Sequence, residues 1–145
     1  MSTFALAALL NFSLLTGGSA TYADAYQQAT TGDGRPLVVL VGADWCPACQ
    51  QMKQTIVPQL QQRGSLDKVA FATVNTDRDS AIASQLMEGG TIPQLVMFVK
   101  TDKGWTRRQL TGSQSLEGVE GFLASGVRAP ASHLTSREVR PVSAN

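Results

Sequence analysis

Two cysteines, Cys46 and Cys49, are the residues of this chain best suited to chemistry. They follow an apolar run and a short loop and precede a segment of helical composition, so Cys46 is predicted at the N-terminus of a helix. Unpaired backbone amides and the positive end of the helix dipole favour a thiolate at that position. Cys49 comes one helical turn later on the same face, close enough to form a disulfide. This spacing predicts a redox-active dithiol with a nucleophile and a resolving thiol.

The composition of the chain excludes several other classes of protein. The 145 residues correspond to one domain. Charged residues make up 16% and the formal net charge is +1, so the basic patch of a nucleic-acid-binding protein is not expected. Two cysteines are too few for a disulfide-rich scaffold or a four-cysteine metal site. No apolar run reaches the roughly 20 residues of a membrane-spanning helix.

The two ends of the chain differ from its middle. Residues 1–20 are mostly apolar and then small, the order of a secretory signal peptide; the alternative is a short N-terminal helix. We therefore expect a periplasmic or otherwise exported protein, with the cytoplasm as the alternative. Residues 128–145 are poor in apolar side chains and predict a flexible C-terminal tail. In that tail His133, the only histidine, is expected to be a solvated bystander. The domain itself is predicted over residues 21–127.

Helical and strand-like segments alternate between these ends. Helices are expected over 22–30, 50–57, 80–88 and 115–124, and strands over 37–41, 69–74, 94–99 and 105–110. This order predicts an α/β fold with a mixed central sheet of about four strands and helices on both faces. Pro58 has no amide hydrogen, so the second helix should kink or restart there.

In this setting the chain resembles the thioredoxin superfamily. The resemblance rests on three segments, Ala43-Asp-Trp-Cys-Pro-Ala-Cys49, Val74-Asn-Thr-Asp77 and Thr91-Ile-Pro93, and it covers about residues 21–125. It implies a thioredoxin-like fold and a thiol-disulfide oxidoreductase whose only redox group is its own disulfide, without a bound cofactor or metal. The implied partners are disulfide-containing proteins and an upstream thiol electron donor. The protein is expected to be a monomer.

The resemblance also implies roles for individual residues. Cys46 is expected to be the exposed nucleophile and Cys49 the buried resolving thiol. Pro93 is expected to be a cis-proline packed against their sulfurs, and the backbone of Ile92 to pair with a substrate strand. Trp45 is expected to shield the dithiol; the alternative is an ordinary core aromatic.

The direction of electron flow depends on Pro47 and Ala48, the residues between the cysteines. They help to set the stability of the Cys46 thiolate and with it the reduction potential. Neither is the histidine of oxidase and isomerase motifs, and Ile92 before Pro93 is also thioredoxin-like, so a protein-disulfide reductase is favoured. The alternatives are a disulfide oxidase or isomerase, a non-enzymatic redox-sensing or metal-binding module, and a structural disulfide. Two thiolates supply only half of a tetrahedral zinc shell, and the domain has no histidine to complete it.

The chain departs from the family's pattern at three positions. The buried acid of the family corresponds to Leu40, and its usual lysine partner corresponds to Thr73. Asp44 is expected to face solvent, and its action as a substitute base is a hypothesis. Pro58 lies later than the proline that kinks the thioredoxin helix. In this respect the segment 43–49 is more similar to the thioredoxin-like domains of bacterial periplasmic reductant pathways.

Overall fold

A computed structural model describes residues 20–32, 34–128 and 140–144 of the chain. The helices are α1 (Tyr22–Thr31), α2 (Pro47–Gln51), α3 (Val57–Gln62), α4 (Ser80–Leu86) and α5 (Leu116–Val127). The strands are β1 (Leu37–Gly42), β2 (Ala70–Asn75), β3 (Gln94–Thr101) and β4 (Gly104–Thr111). These bounds agree with the predicted elements to within a few residues. The predicted signal segment, up to residue 19, and His133 lie outside the described residues.

The four strands form one mixed sheet in the order β2-β1-β3-β4. β1 pairs in parallel with β2 and antiparallel with β3, and β3 pairs antiparallel with β4. Because β1 has a strand on each side and a core on each face, its residues 37–41 are all buried. The predicted α/β architecture with a mixed central sheet of about four strands is confirmed.

Each face of the sheet has its own core, because alternate strand residues point to opposite faces. On one face Val39 and Phe98 belong to a cluster that includes residues of α1 and α4. On the other face Leu40 and Met97 belong to a cluster that includes residues of α3 and α5. Helices therefore cover both faces, as predicted. None of the helices in the described ranges is long and apolar enough to cross a membrane.

The helix after the cysteines passes Pro58 by changing its hydrogen-bond pattern. Met52–Ile56 is π-helical and connects α2 with α3. The amide of Val57 donates to the carbonyl of Met52. Such a wide turn accommodates a proline, which has no amide to donate and crowds the carbonyl one turn earlier. The predicted interruption is correct in position, but it is a local change of helix type.

Residues 140–144 lie against the start of α1. The Tyr22 hydroxyl donates to the carbonyl of Val142 at 2.6 Å, and Val142 and Ala144 pack against the core cluster that contains Tyr22. These five residues therefore contact the domain, which the low apolar content of the tail does not indicate.

Candidate functional site

Cys46 and Cys49 form a disulfide at the start of α2, with Cα atoms 5.2 Å apart. Cys46 is the N-cap of the helix, and its sulfur accepts a hydrogen bond from the amide of Cys49 at 3.2 Å. Pro47 is exposed at the first helical position, where an amide is not needed. The predicted location of Cys46 at a helix N-terminus is confirmed.

The two cysteines are buried to the same extent, 6% exposed for Cys46 and 5% for Cys49. The expectation of an exposed Cys46 is therefore wrong for the disulfide form. Ala43, Ala48 and Ile92 pack around the cysteines in one apolar cluster and leave little of either sulfur accessible. Both cysteines thus lie in apolar surroundings.

Gly42, the last residue of β1, determines how closely Cys49 approaches the sheet. A Cβ atom at residue 42 would lie 2.9 Å from both the Cβ and the Sγ of Cys49, closer than real Cβ atoms come. The missing side chain therefore lets the resolving cysteine rest on the strand end. The role of Gly42 was not predicted, although a glycine that ends a β-branched run is a signal of close approach.

A cleft of about 90 Å³ opens beside Cys49. Leu40 and Thr73 both line it, at the positions where the family has an acid and a lysine, and neither side chain ionises at ordinary pH. The ionisable side chains that line the cleft are all exposed, namely Asp44, Lys53, Arg78 and Asp79. Asp44 faces solvent as expected, and its carboxylate pairs with Arg78 at 3.3 Å.

Trp45 stands at the surface beside the disulfide, with 69% of its area exposed. It is therefore not a core aromatic. Its indole Nε1–H donates to the carboxylate of Asp77 at 3.1 Å, and the amide of Asp77 donates to the side-chain oxygen of Asn75 at 2.9 Å. The bond joins the loop before Cys46 to the loop after β2. Asp77 belongs to one of the segments that carry the resemblance, but its contact with Trp45 was not predicted.

The loop before β3 supplies the opposite edge of the site. The Ile92–Pro93 peptide bond is cis, as the resemblance implied. Ile92 is half-buried and packs against the apolar cluster of the cysteines. Pro93 is buried, and its carbonyl accepts from the amide of Gly112 at 2.8 Å. The structure thus brings Ile92 and the disulfide together from segments far apart in the chain.

Among the described residues, no group of three or more histidine, cysteine, aspartate or glutamate side chains is placed to hold a metal ion.

The part of the chain that carries the site is similar to known proteins. A family model described as Thioredoxin matches residues 19–125. A thioredoxin from Alicyclobacillus acidocaldarius subsp. acidocaldarius is 36% identical over 103 residues, which cover 68% of this chain and 88% of that protein. A solved thioredoxin from Thermus thermophilus has a TM-score of 0.60 at 25% identity and covers 72% of this chain and 82% of its own. Fasciola hepatica thioredoxin shares the fold, with a TM-score of 0.56 at 20% identity over 74% of this chain and 96% of its own.

Proposed function

Because the chain belongs to the thioredoxin family and is a thiol-disulfide oxidoreductase, we propose that it reduces disulfides in other proteins. The observation that carries the proposal is the Cys46–Cys49 disulfide at the helix N-terminus. The sulfur of Cys46 already accepts a hydrogen bond from the amide of Cys49. The same amide and the helix dipole would stabilise the thiolate after reduction.

The proposed cycle begins with the reduced dithiol. The Cys46 thiolate attacks one sulfur of the substrate disulfide, forms a mixed disulfide and releases the first substrate thiolate. Cys49 then loses its proton and attacks the sulfur of Cys46. This step forms the Cys46–Cys49 disulfide and releases the second substrate thiolate. The substrate has gained two electrons, and a thiol electron donor must return two electrons to the chain.

We propose that the proton lost by Cys49 passes to a water molecule in the cleft beside it. Leu40 and Thr73 cannot accept that proton, and the cleft connects Cys49 with exposed charged groups. Asp44 is the side chain proposed to accept the proton from that water, because its carboxylate lines the same cleft. Its ion pair with Arg78 lies at the surface.

The remaining site residues are proposed to bind and orient the substrate. The backbone of Ile92 pairs with an extended substrate segment, as in strand addition; the packing of its side chain against the cysteines supports this. Pro93 fixes the backbone that directly follows Ile92. The exposed ring of Trp45 covers the substrate near the disulfide. Pro47 and Ala48 adjust the stability of the Cys46 thiolate.

The reduction potential of the Cys46–Cys49 pair tests the direction of the reaction. Equilibration with glutathione buffers followed by thiol trapping gives the value. We expect a potential at or below roughly −230 mV, nearer to thioredoxin than to the oxidases. A potential above about −160 mV would contradict the reductase and favour a disulfide donor.

We also propose that the protein works after export, as a monomer without residues 1–20. Disulfides form in such compartments, so a reductant there needs a dedicated upstream thiol donor. A fusion of residues 1–24 to a reporter that is active only outside the cytoplasm tests export in a bacterial host. The matched control carries Leu9→Arg, which interrupts the apolar run. Equal reporter activity with and without the substitution would contradict the proposal.

A further inference from the structure

Gln94, the first residue of β3, is a fully buried polar side chain, 0% exposed. Its side-chain nitrogen donates to the carbonyls of Glu88 at 3.0 Å and Thr91 at 2.9 Å. Its oxygen accepts from the amide of Glu88 at 3.2 Å. A carboxamide has two N–H donors, and both are used here. Because a buried polar group left without a partner is costly, Gln94 and the loop hold each other in one conformation.

The bonds to Glu88 satisfy backbone groups of the loop that have no partner in a helix or strand. Gln94 exchanges a donor and an acceptor with the backbone of Glu88, as two paired residues do in an antiparallel sheet. The loop from Met87 to Ile92 has left the helix α4, and Gly89 in it has a φ of 80°. A side chain from β3 thus fixes a segment that is neither helix nor strand.

A second layer from β4 supports the same loop. Arg107 donates to the carbonyl of Leu86 at 2.6 Å and to the side-chain oxygen of Gln109 at 2.7 Å. Its guanidinium also pairs with the carboxylate of Glu88 at 3.3 Å, and its side chain is only 8% exposed. The end of α4 and the beginning of the loop are therefore attached to the sheet by side chains of β4.

The bond from Gln94 to Thr91 has a direct consequence for the substrate edge. The carbonyl of Thr91 and the amide of Ile92 belong to one planar peptide unit. A hydrogen bond that fixes the Thr91 oxygen therefore also fixes the direction in which the Ile92 N–H points. Ile92 itself packs against the cluster that contains Cys46 and Cys49.

We propose that Gln94 is a positioning residue for substrate binding, which holds the Thr91–Ile92 peptide in the orientation that pairs with a substrate strand. This inference rests on the proposed function, in which the backbone of Ile92 contacts the substrate. Gln94 touches neither the substrate nor the sulfurs. It acts on binding, while the chemistry of the dithiol is independent of it.

Gln94→Met tests the proposal, because methionine has a similar length and no amide. The matched control is Gln61→Met on the exposed side of α3. For reduction of a protein disulfide we expect KM to rise about five- to tenfold and kcat to change less than about twofold, as for loss of a binding hydrogen bond. The rate with a small aromatic disulfide and the reduction potential should not change, because neither needs strand pairing.

A variant that loses thermal stability but keeps its KM would show that Gln94 is only structural, and would overturn the proposal. If Gln94→Met does not fold, Arg107→Met removes the second layer and is expected to raise KM about two- to threefold. An unchanged KM in folded Arg107→Met would overturn the proposal in the same way.

Measurement in the opposite direction separates this proposal from the reductase proposal. The oxidised protein is mixed with a peptide that contains two thiols, and the KM for its oxidation is determined. If the wild-type protein only oxidises, the reductase proposal fails. A raised KM of Gln94→Met for the dithiol peptide would still support the positioning role, and an unchanged KM would contradict it.

Discussion

The site has two edges that are positioned in different ways. Cys46 and Cys49 are placed by the chain immediately around them, whereas the loop before Ile92 and Pro93 is held by side chains of the adjoining strand β3 and of the more distant strand β4. The cysteine edge consists of the end of β1, a short loop and the helix that starts at Pro47. Its defining contacts are between neighbours, such as the Cys49 amide on the Cys46 sulfur. The Ile92 edge is a loop whose backbone is held by β3 and β4.

This difference separates chemistry from binding. A change at the cysteine edge alters the sulfur atoms or their distance and so affects every reaction of the dithiol. A change at the Ile92 edge affects only substrates that pair with the backbone of the loop. Substitutions at the cysteine edge should therefore affect the reaction with every substrate, whereas substitutions at the Ile92 edge should affect only the substrates that pair with the loop. The effects should also differ in size.

The largest effect is expected at the cysteine edge, from Cys46→Ser. A hydroxyl is a far weaker nucleophile than a thiolate, so disulfide reduction should fall on the order of 1000-fold or more. The measurement is the rate of reduction of a protein disulfide by the reduced chain. Cys49→Ser is the comparison: it keeps the nucleophile and should accumulate a mixed disulfide with substrate, which mass spectrometry detects.

The assignment of roles would be contradicted by the reverse pattern. If Cys49→Ser were inactive without a trapped substrate and Cys46→Ser formed the mixed disulfide, Cys49 would be the nucleophile. The equal burial of the two sulfurs in the disulfide form makes this control necessary.

The next largest effect is expected from Gly42→Ala, which places a methyl group 2.9 Å from the sulfur of Cys49. Such overpacking should lower the free energy of unfolding of the oxidised protein by about 1–3 kcal/mol. Gly121→Ala in α5 is the matched control, because a Cβ there meets no atom within 4 Å. It should raise the free energy of unfolding by about 0.5–1 kcal/mol through helix propensity. Urea unfolding of both variants measures the two changes. If both substitutions changed the free energy of unfolding in the same direction, close packing at Gly42 would be contradicted.

The sequence predicts the cysteine edge far better than the Ile92 edge. Cys46, Cys49 and the helix that begins between them follow from local spacing and capping. The role of Gln94 does not, because its partners lie in a loop whose path depends on tertiary structure. The sequence shows a glutamine at the start of an apolar strand, but it does not show that the side chain is buried. The contact of Val142 with Tyr22 was missed for the same reason, since it joins the two ends of the fold.

A smaller effect, outside both edges, is expected from Tyr22→Phe. The variant loses the hydrogen bond to the carbonyl of Val142, which should lower the free energy of unfolding by about 1 kcal/mol. KM and the reduction potential should not change, because the contact is remote from the disulfide. A change in either would show that the segment 140–144 influences the site.

Tyr22 also predicts a dependence on pH. Burial, with a smaller contribution from Tyr26, raises the pKa of Tyr22 above its ordinary value. The folded state therefore keeps a proton that the unfolded state has already lost. The stabilising contribution is complete below the ordinary tyrosine pKa of about 10 and is lost as the pH rises toward the higher folded-state pKa. Unfolding measurements between about pH 8 and pH 11 should show a steeper loss in the wild-type protein than in Tyr22→Phe.

The smallest effect is expected from Asp77→Ala, which releases the indole of Trp45. The bond is exposed, so water replaces it and the free energy of unfolding should fall by less than about 0.5 kcal/mol. The rate of protein-disulfide reduction should fall no more than about twofold, a limit set by the same small energy. Tryptophan fluorescence reports the release if it is measured in a Trp105→Phe background, which leaves Trp45 as the only tryptophan. Asp102→Ala in the β3–β4 turn is the control. A loss of activity as large as that of Gln94→Met would mean that the bond from Asp77 is needed to hold the Trp45 ring over the substrate, and substrate binding would then depend strongly on both edges of the site.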